Sequence, residues 1–525
     1  MNPTFNLQDE LWIPVRTKAG EVKNVSLRDA LLKAADYVAL AETSPPNLIA
    51  MHRVLLAVLH RSLVTQHGKW NDQDRARWFR EGLPQVEIRA YLEKWRERFW
   101  LFHPTDPFMQ VAALEMAEET REKQKAWPHI ELEGACGNTP VVFNHAMDER
   151  PVAASFAVAL RNMLGFFQFT PGGLVKTVRS SDKAGPLVNT AAVLPIGRSL
   201  SETLLLALHP YESQSPDDLP SWERPMPTIM MLSAEPTLAS GPNDRYTRLS
   251  RAVLLLKEGD LQKLHWIRFA AGVALEEDPN APDPMACYRI NKDGKAIRVT
   301  YREGRAIWRD LPSLIPDPGN ATDIPPAVLG WAANLLEALG EWDSPVEVIT
   351  AGLASKEAKL LRWRAERIEL PQAFLRLSDA ASFLRMQVRY VEEVHEGLRN
   401  VLADMIAQTM PDPKHKDTRT RARDILSSGP ASAVYFSAAE RALPLLMRQI
   451  AKGEIAEADL AWKATLVEAA NQAWNATRKS LGDSPAVLRA DARVWPRFRV
   501  LLKPLMPTVT SAAILATSTT EEVPV

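Results

Sequence analysis

The chain has 525 residues, 46% of them hydrophobic and 24% charged, with 63 Lys and Arg against 64 Asp and Glu. That length predicts two to four domains of ordinary globular composition, and a net charge of −1 argues against a surface coated in basic residues for indiscriminate nucleic-acid binding. Only Cys136 and Cys287 occur, too few for a disulfide framework or a four-cysteine zinc site. No apolar run reaches the roughly 18 to 20 residues of a bilayer span, and the N-terminus lacks a basic then apolar leader, so a cytoplasmic protein without membrane contact is expected.

In chain order, Phe5 to Val15 is a strand-like run that Pro14 confines to an edge or a strand end. Ser26 then offers an N-cap to a helix whose apolar residues are Leu27, Ala30, Leu31 and Ala34. His52, His60 and His67 fall at spacings of eight and seven, which could place them on one helix face, but no nearby carboxylate or cysteine completes a metal set. Asp106 lies in a Pro-bounded turn within His103–Gln110. Arg289, Lys292, Lys295, Arg298, Arg302, Arg305 and Arg309 are interrupted by turns at Asp293-Gly294 and Glu303-Gly304. They predict a β-meander carrying cations, either a nucleic-acid surface or a solvated strand face.

Strand and helix signals alternate with many prolines up to residue 370, whereas from Pro371 the pattern is almost purely helical. Leu377, Leu384, Val391, Leu398 and Met405 recur every seven residues, with Val388 and Leu402 between them, forming one apolar stripe. Breaks at Pro411–Pro413, Lys452-Gly453 and Gly482–Pro485 leave four segments, roughly 372–410, 416–451, 455–481 and 486–502. Ser427-Ser428-Gly429-Pro430 should kink or interrupt the second. The expected fold is therefore α+β: a large irregular mixed domain over 1–370, a four-helix bundle over 371–507, and a disordered tail over 508–525. Residues 371–510 carry 20 basic against 15 acidic side chains, leaving the rest of the chain acidic. Any nucleic-acid contact in the larger domain must then come from local clusters.

Searches for chemistry return no Walker A loop, Gly-x-Gly-x-x-Gly, His-Glu-x-x-His or Gly-x-Ser-x-Gly. The expectation is binding without catalysis, metal or cofactor. An enzyme with a dispersed site and a purely structural scaffold remain the rival classes.

The opening Phe5-Asn6-Leu7-Gln8-Asp9-Glu10-Leu11-Trp12-Ile13-Pro14-Val15, with Ser26-Leu27-Arg28-Asp29-Ala30-Leu31, resembles that of the CasA family, the large subunit of the type I-E CRISPR surveillance complex Cascade. Later segments follow in the family's order. Pro107-Phe108-Met109-Gln110 comes after the first helices. Asn138–Asn144 leads to a position where the family holds a mobile loop that begins at an aromatic and is associated with the guide RNA handle. Phe143 falls on that aromatic beside Asn144, and a ring suits stacking on any base, although a core role is the alternative.

Thr170-Pro171-Gly172-Gly173-Leu174-Val175-Lys176 matches a glycine loop that the family places in the minor groove of the motif duplex, with an ordinary type II turn as the plain alternative. The tract has fewer glycines than some relatives. After Arg245-Tyr246-Thr247 the family places a basic residue on the duplex, and Arg248 and Arg251 are both candidates unless they merely solvate a strand. Ser344–Lys359 and the following Leu360-Leu361-Arg362-Trp363 read as two strands and a tip. By alignment from Gly352, the tip holds Lys356, Glu357 and Ala358, with Glu357 at a wedge position. Several relatives have amides at the first two. Lys cannot accept a hydrogen bond and ionised Glu cannot donate one, so base preference should differ here. Structural zinc, which some relatives build on a cysteine cluster, does not carry over.

The resemblance thus implies a subunit that binds the guide RNA and double-stranded target DNA, screens for a protospacer-adjacent motif, and begins unwinding. It implies contacts with the backbone, handle-capping and small Cascade subunits, and a docking surface for the helicase-nuclease. Lys414, Lys416, Arg419, Arg421 and Arg423 are candidates for holding displaced-strand DNA.

Overall fold

The computed structural model describes residues 2–134, 151–173, 175–211, 215–259, 262–278, 281–302, 304–316, 323–340, 345–356 and 359–506. It is a mixed helix and strand protein that divides into two compact units: Met1–Ile307 with Asn320–Leu375, and Trp308–Gly319 with Arg376–Val525.

The first unit is organised around the helix Pro45–Ser62, which is buried almost without interruption from Ile49 to Ser62. By length and composition, Pro45–His67 is apolar enough to cross a membrane, but 83% of its apolar window is buried inside the protein, as befits a core helix. It contains no long uninterrupted apolar run, because Arg53 and Arg61 punctuate it. Arg53 is buried but paired, donating to Gln168 Oε1 at 2.9 Å, meeting Asp283, and lying 4.8 Å from the Tyr246 ring centroid. Against this helix pack Phe156–Phe169, Gln85–Lys94 and Pro242–Thr247.

Sheets in the first unit are small. At the N-terminus Thr4–Asn6 pairs with Trp100–Phe102, and Ile13–Thr17 lies between Val22–Val25 and Tyr37–Leu40. Pro14 is the second residue of that middle strand, so of the two expected positions it takes the strand end. Ser26 caps the next helix, accepting from Asp29 N at 3.1 Å. The expected cationic meander is only partly formed. Tyr288–Ile290 pairs with Ala296–Arg298 and with Asp323–Ile324, but Arg302 and Arg305 make an isolated bridge rather than a strand.

Beyond that bridge the chain enters the second unit. Arg309 meets Glu392 with both ends of its guanidinium, at 2.6 and 2.8 Å, and Arg385 donates to Ile315 O at 2.6 Å. These contacts give Trp308–Gly319 to the helical unit, which a single boundary near residue 370 does not anticipate.

The C-terminal region is helical, with Asp379–Ala407, Lys416–Ser428, Ala431–Ala451, Ile455–Leu481 and Pro485–Leu502. Gly429-Pro430 splits the expected second segment in two. Ala431–Ala451 lies along Ile455–Leu481, and Asp379–Ala407 packs against both, against Pro485–Leu502 and against Lys416–Ser428. Four long helices thus form the bundle, and the short one is an addition to its surface. The heptad stripe at Leu384, Val388, Val391, Leu398, Leu402 and Met405 is buried. Leu377 is 64% exposed, because Ser378 caps the helix and places Leu377 before its first turn. The tail over 508–525 lies outside the described residues.

Candidate nucleic-acid interface

The helix Phe156–Phe169 ends where Thr170 N donates to Phe166 O at 3.0 Å and Pro171 stops further helical pairing. The chain then makes a loop closed at two levels. Gly185 N donates to Thr170 O at 2.9 Å, and Gly173 N donates to Asp182 O at 2.8 Å. Three glycines serve it differently. Gly173 has φ +84 with open space around it, the left-handed conformation that L side chains avoid. A Cβ on Gly172 would stand 3.1 Å from Ala184 N, and one on Gly185 would stand 2.7 Å from Phe167 O. Gly172, Gly173, Lys176 and Lys183 are all exposed, so the loop offers bare backbone flanked by two lysines.

This loop is held from inside by Arg251, the first residue of the strand Arg251–Leu255. Its guanidinium donates to Lys183 O at 2.6 Å and to Pro171 O, and its Nη1 lies 2.9 Å from Asp182 Oδ2. Asp182 also accepts from Lys183 N at 2.9 Å. Burial pushes the Asp182 carboxyl above its ordinary value, and the adjacent Arg251 charge pulls it back only in part. Arg251 is 1% exposed, so as placed it cannot present its guanidinium to a duplex. It cannot solvate a strand either.

Arg248 is likewise buried. It donates to Thr237 O and Leu238 O, both at 2.9 Å, with its Nε 3.6 Å from Asp244 Oδ1. Both arginines that the resemblance sets beside the duplex thus turn inward in this structure, where backbone carbonyls and buried carboxylates receive them. The preceding Arg245-Tyr246-Thr247 is also interior.

The second element is a long antiparallel ribbon of Val346–Lys356 and Lys359–Leu370, paired from Val346↔Leu370 to Lys356↔Lys359. Its third strand, Ala192–Ile196, reaches only to Ala351. From Gly352 to Lys356 the pairing is two-stranded among the described residues, and five residues at the rise of a β-strand span roughly 16 Å. At Gly352 the ribbon is still packed closely on the body, since a Cβ there would stand 2.2 Å from Thr190 O.

Loop and ribbon are neighbours. Phe169, one residue before Thr170, meets Trp363 edge-on at 5.4 Å between ring centroids, and Trp363 Nε1 donates to Leu132 O at 3.0 Å. On the ribbon's second strand, Arg364 donates to Arg305 O at 2.8 Å and pairs with Glu366, so the Arg302–Arg305 turn packs beside the ribbon. The other members of that basic run scatter. Lys292 and Lys295 are exposed at a turn, Arg298 pairs with Glu277, and Arg309 belongs to the helical unit.

Phe143, Asn144, Glu357 and Ala358 lie outside the described residues, and Lys356 is described only by its backbone pairing. Lys414, Lys416, Arg419, Arg421 and Arg423 are exposed on and before the short helix Lys416–Ser428. The three histidines do not converge: His52 contacts Leu48 O, His60 stacks on His209 at 3.5 Å, and His67 faces Glu87. Sequence reasoning missed Asp182, whose pairing with Arg251 spans 69 residues and leaves no local pattern.

The first unit thus sets a glycine loop beside a two-stranded ribbon, and the helical unit carries an exposed cationic helix. The family profile of CRISPR-associated protein Cse1 matches residues 6–473. A CasA/Cse1 protein of Thermus thermophilus is 34% identical over 508 residues, covering 95% of this chain and 97% of its own. The solved structure of Thermus thermophilus CasA (Cse1) superposes with a TM-score of 0.82 at 32% identity, over 96% of this chain and all of that one. A chain of a CRISPR RNA-guided surveillance complex shares the fold, with a TM-score of 0.72 at 21% identity, over 95% of this chain and 100% of that one. The protein belongs to the CRISPR-associated Cse1 (CasA) family.

Proposed function

We propose that this chain is the non-catalytic large subunit of a cytoplasmic CRISPR RNA-guided DNA surveillance complex of type I-E. It recognises the protospacer-adjacent motif in duplex DNA, starts unwinding, and offers the docking surface for the helicase-nuclease. The observation that carries this reading is the Phe169–Trp363 contact, which keeps a lysine-flanked glycine loop beside a two-stranded ribbon. A minor groove about 6 Å wide admits bare backbone and slender tips but excludes bulky elements. Gly172 and Gly173 enter it, Lys176 meets phosphate, and the ribbon brings Lys356 and Ala358 to the base edges with Glu357 as the wedge.

Because minor-groove acceptors are degenerate, tolerance of several motifs follows. Phe143 and Asn144 meet the guide RNA handle. Arg251 serves by holding the glycine loop rather than by touching DNA. Lys414, Lys416, Arg419, Arg421 and Arg423 hold the displaced strand. The protein reads a short motif while base pairing reads the long sequence, the division of labour of RNA-guided recognition.

The test is a gel-shift titration at fixed salt with the guide-loaded partner complex, with and without this protein, on duplexes bearing or lacking candidate motifs. Tight binding to motif-bearing duplex only when the protein is present supports the reading. Gly172→Asp with Gly173→Asp should abolish that gain by bulk and charge while assembly persists. Assembly without any motif preference in the unmodified protein would make it a scaffold, and loss of assembly in the double variant would make the loop a folding element.

A further inference from the structure

The helix Lys416–Ser428 buries only Ala422 and Leu426, so its basic residues face solvent, but they do not face one place. Arg419 and Arg423, four residues apart and therefore stacked on one side of the helix, open onto a polar cavity of about 200 Å³. Arg497 of the helix Pro485–Leu502 enters the same cavity, which is completed by Asn400, Ala403, Asp404 and Ala407 of Asp379–Ala407. Arg421, between the other two in sequence, is not part of it.

Arg497 pairs with Asp404, whereas the side chains of Arg419 and Arg423 meet no carboxylate among the described residues. Three guanidinium groups from two helices thus share one concavity with a single carboxylate. The excess positive charge in a recess focuses the field on whatever anion enters. Guanidinium forks match phosphate oxygens geometrically, in a way that a single lysine does not.

The surroundings distinguish a polyanion from a free ion. Arg489, Arg493 and Arg497 are spaced four apart and share one side of Pro485–Leu502, and all are exposed. Lys414 and Lys416 stand at the start of the short helix. Cations therefore continue past the cavity on both helices. A flexible strand can turn one phosphate into a recess of this size, which a rigid duplex cannot do.

We propose that the cavity between Arg419, Arg423 and Arg497 seats one backbone phosphate of single-stranded nucleic acid and sets the register of the strand on the bundle. The inference rests on the reading of the Lys416–Ser428 cations as a single-strand track and deepens it. It also brings into the track Arg497, from a different helix.

The test is fluorescence anisotropy of a labelled single-stranded oligodeoxynucleotide binding to the full-length protein across a salt series. Arg419→Ala, Arg423→Ala and Arg497→Ala should each weaken binding about tenfold, the loss expected for a charge-assisted contact, and flatten the salt slope by about 0.7. Arg421→Ala should cost only about twofold, within the general field of the surface. Asp404→Asn should tighten binding by freeing Arg497, more than Asp424→Asn on the outer helix does.

Equal losses for Arg421→Ala and Arg497→Ala would overturn the seat and leave a diffuse basic face. Equal affinity for a duplex of the same length, lost in the same variants, would overturn the single-strand assignment. No binding by the unmodified protein would remove the track and the seat together.

Discussion

Arg251 shows how a charge can serve a binding loop without touching a ligand. One guanidinium joins Pro171 O, Lys183 O and the Asp182 carboxylate, so both limbs of the glycine loop hang from one buried side chain. Removing one partner of such a pair leaves an uncompensated buried charge. Arg251→Met should therefore cost about 3–5 kcal/mol in urea denaturation. The double variant Arg251→Met with Asp182→Asn should recover part of that loss, because the orphaned carboxylate is gone. A loss for Arg251→Met below about 1 kcal/mol would show that water reaches the pair. The basic residues after Arg245-Tyr246-Thr247 were legible in the sequence. Their inward direction was not, since it depends on carbonyls at Pro171, Lys183, Thr237 and Leu238 delivered by other parts of the fold.

At the scale of the element, the bundle follows its heptads closely but not at their first member. Leu377 continues the seven-residue spacing, yet Ser378 accepts from Ala381 N at 3.1 Å and starts the helix after it. A cap outranks a repeat because helical geometry begins only where the backbone turns. Leu384→Ala should destabilise the protein by about 2–5 kcal/mol, as a large-to-small change at a fully buried site. Leu377→Ala should stay within about 0.5 kcal/mol, as expected at the surface. Thermal denaturation of the two variants separates these cases, and equal losses would place Leu377 in the core. The ribbon was equally legible, as alternation before Gly352 and apolar residues after Lys359. Its third strand was not, because Ala192–Ile196 comes from more than 150 residues earlier in the chain and pairs only as far as Ala351.

For the whole molecule, buried histidines predict the response to acid. His52 and His129 are each pushed down to about 4 by burial, as is His395 in the helical unit, and His209 is pushed to about 3. A depressed histidine is neutral when folded and takes up a proton only on unfolding. Its contribution is thus complete above about pH 6.5 and is lost as pH falls toward 4. At 1.36 kcal/mol per pH unit, His52 alone accounts for roughly 3 kcal/mol across that window. Urea denaturation between pH 7.5 and 4.5 should show stability falling with acid, and His52→Gln should make the fall shallower by one proton. An unchanged slope would mean that His52 is already solvated.

By itself the sequence determined the local devices: the Ser26 cap, the Gly429-Pro430 break, the buried stripe from Leu384 to Met405, the two-stranded ribbon and the family to which the chain belongs. Each rests on residues near one another in the chain, where propensity, periodicity and motif order act. Tertiary structure alone decided that Arg248 and Arg251 turn inward, that residues 308–316 join the helical unit, that Phe169 meets Trp363, and that Arg497 shares a cavity with Arg419 and Arg423. Those outcomes depend on partners from ten to nearly two hundred residues away, and a buried charge is tolerated only when a carbonyl or carboxylate is there to receive it.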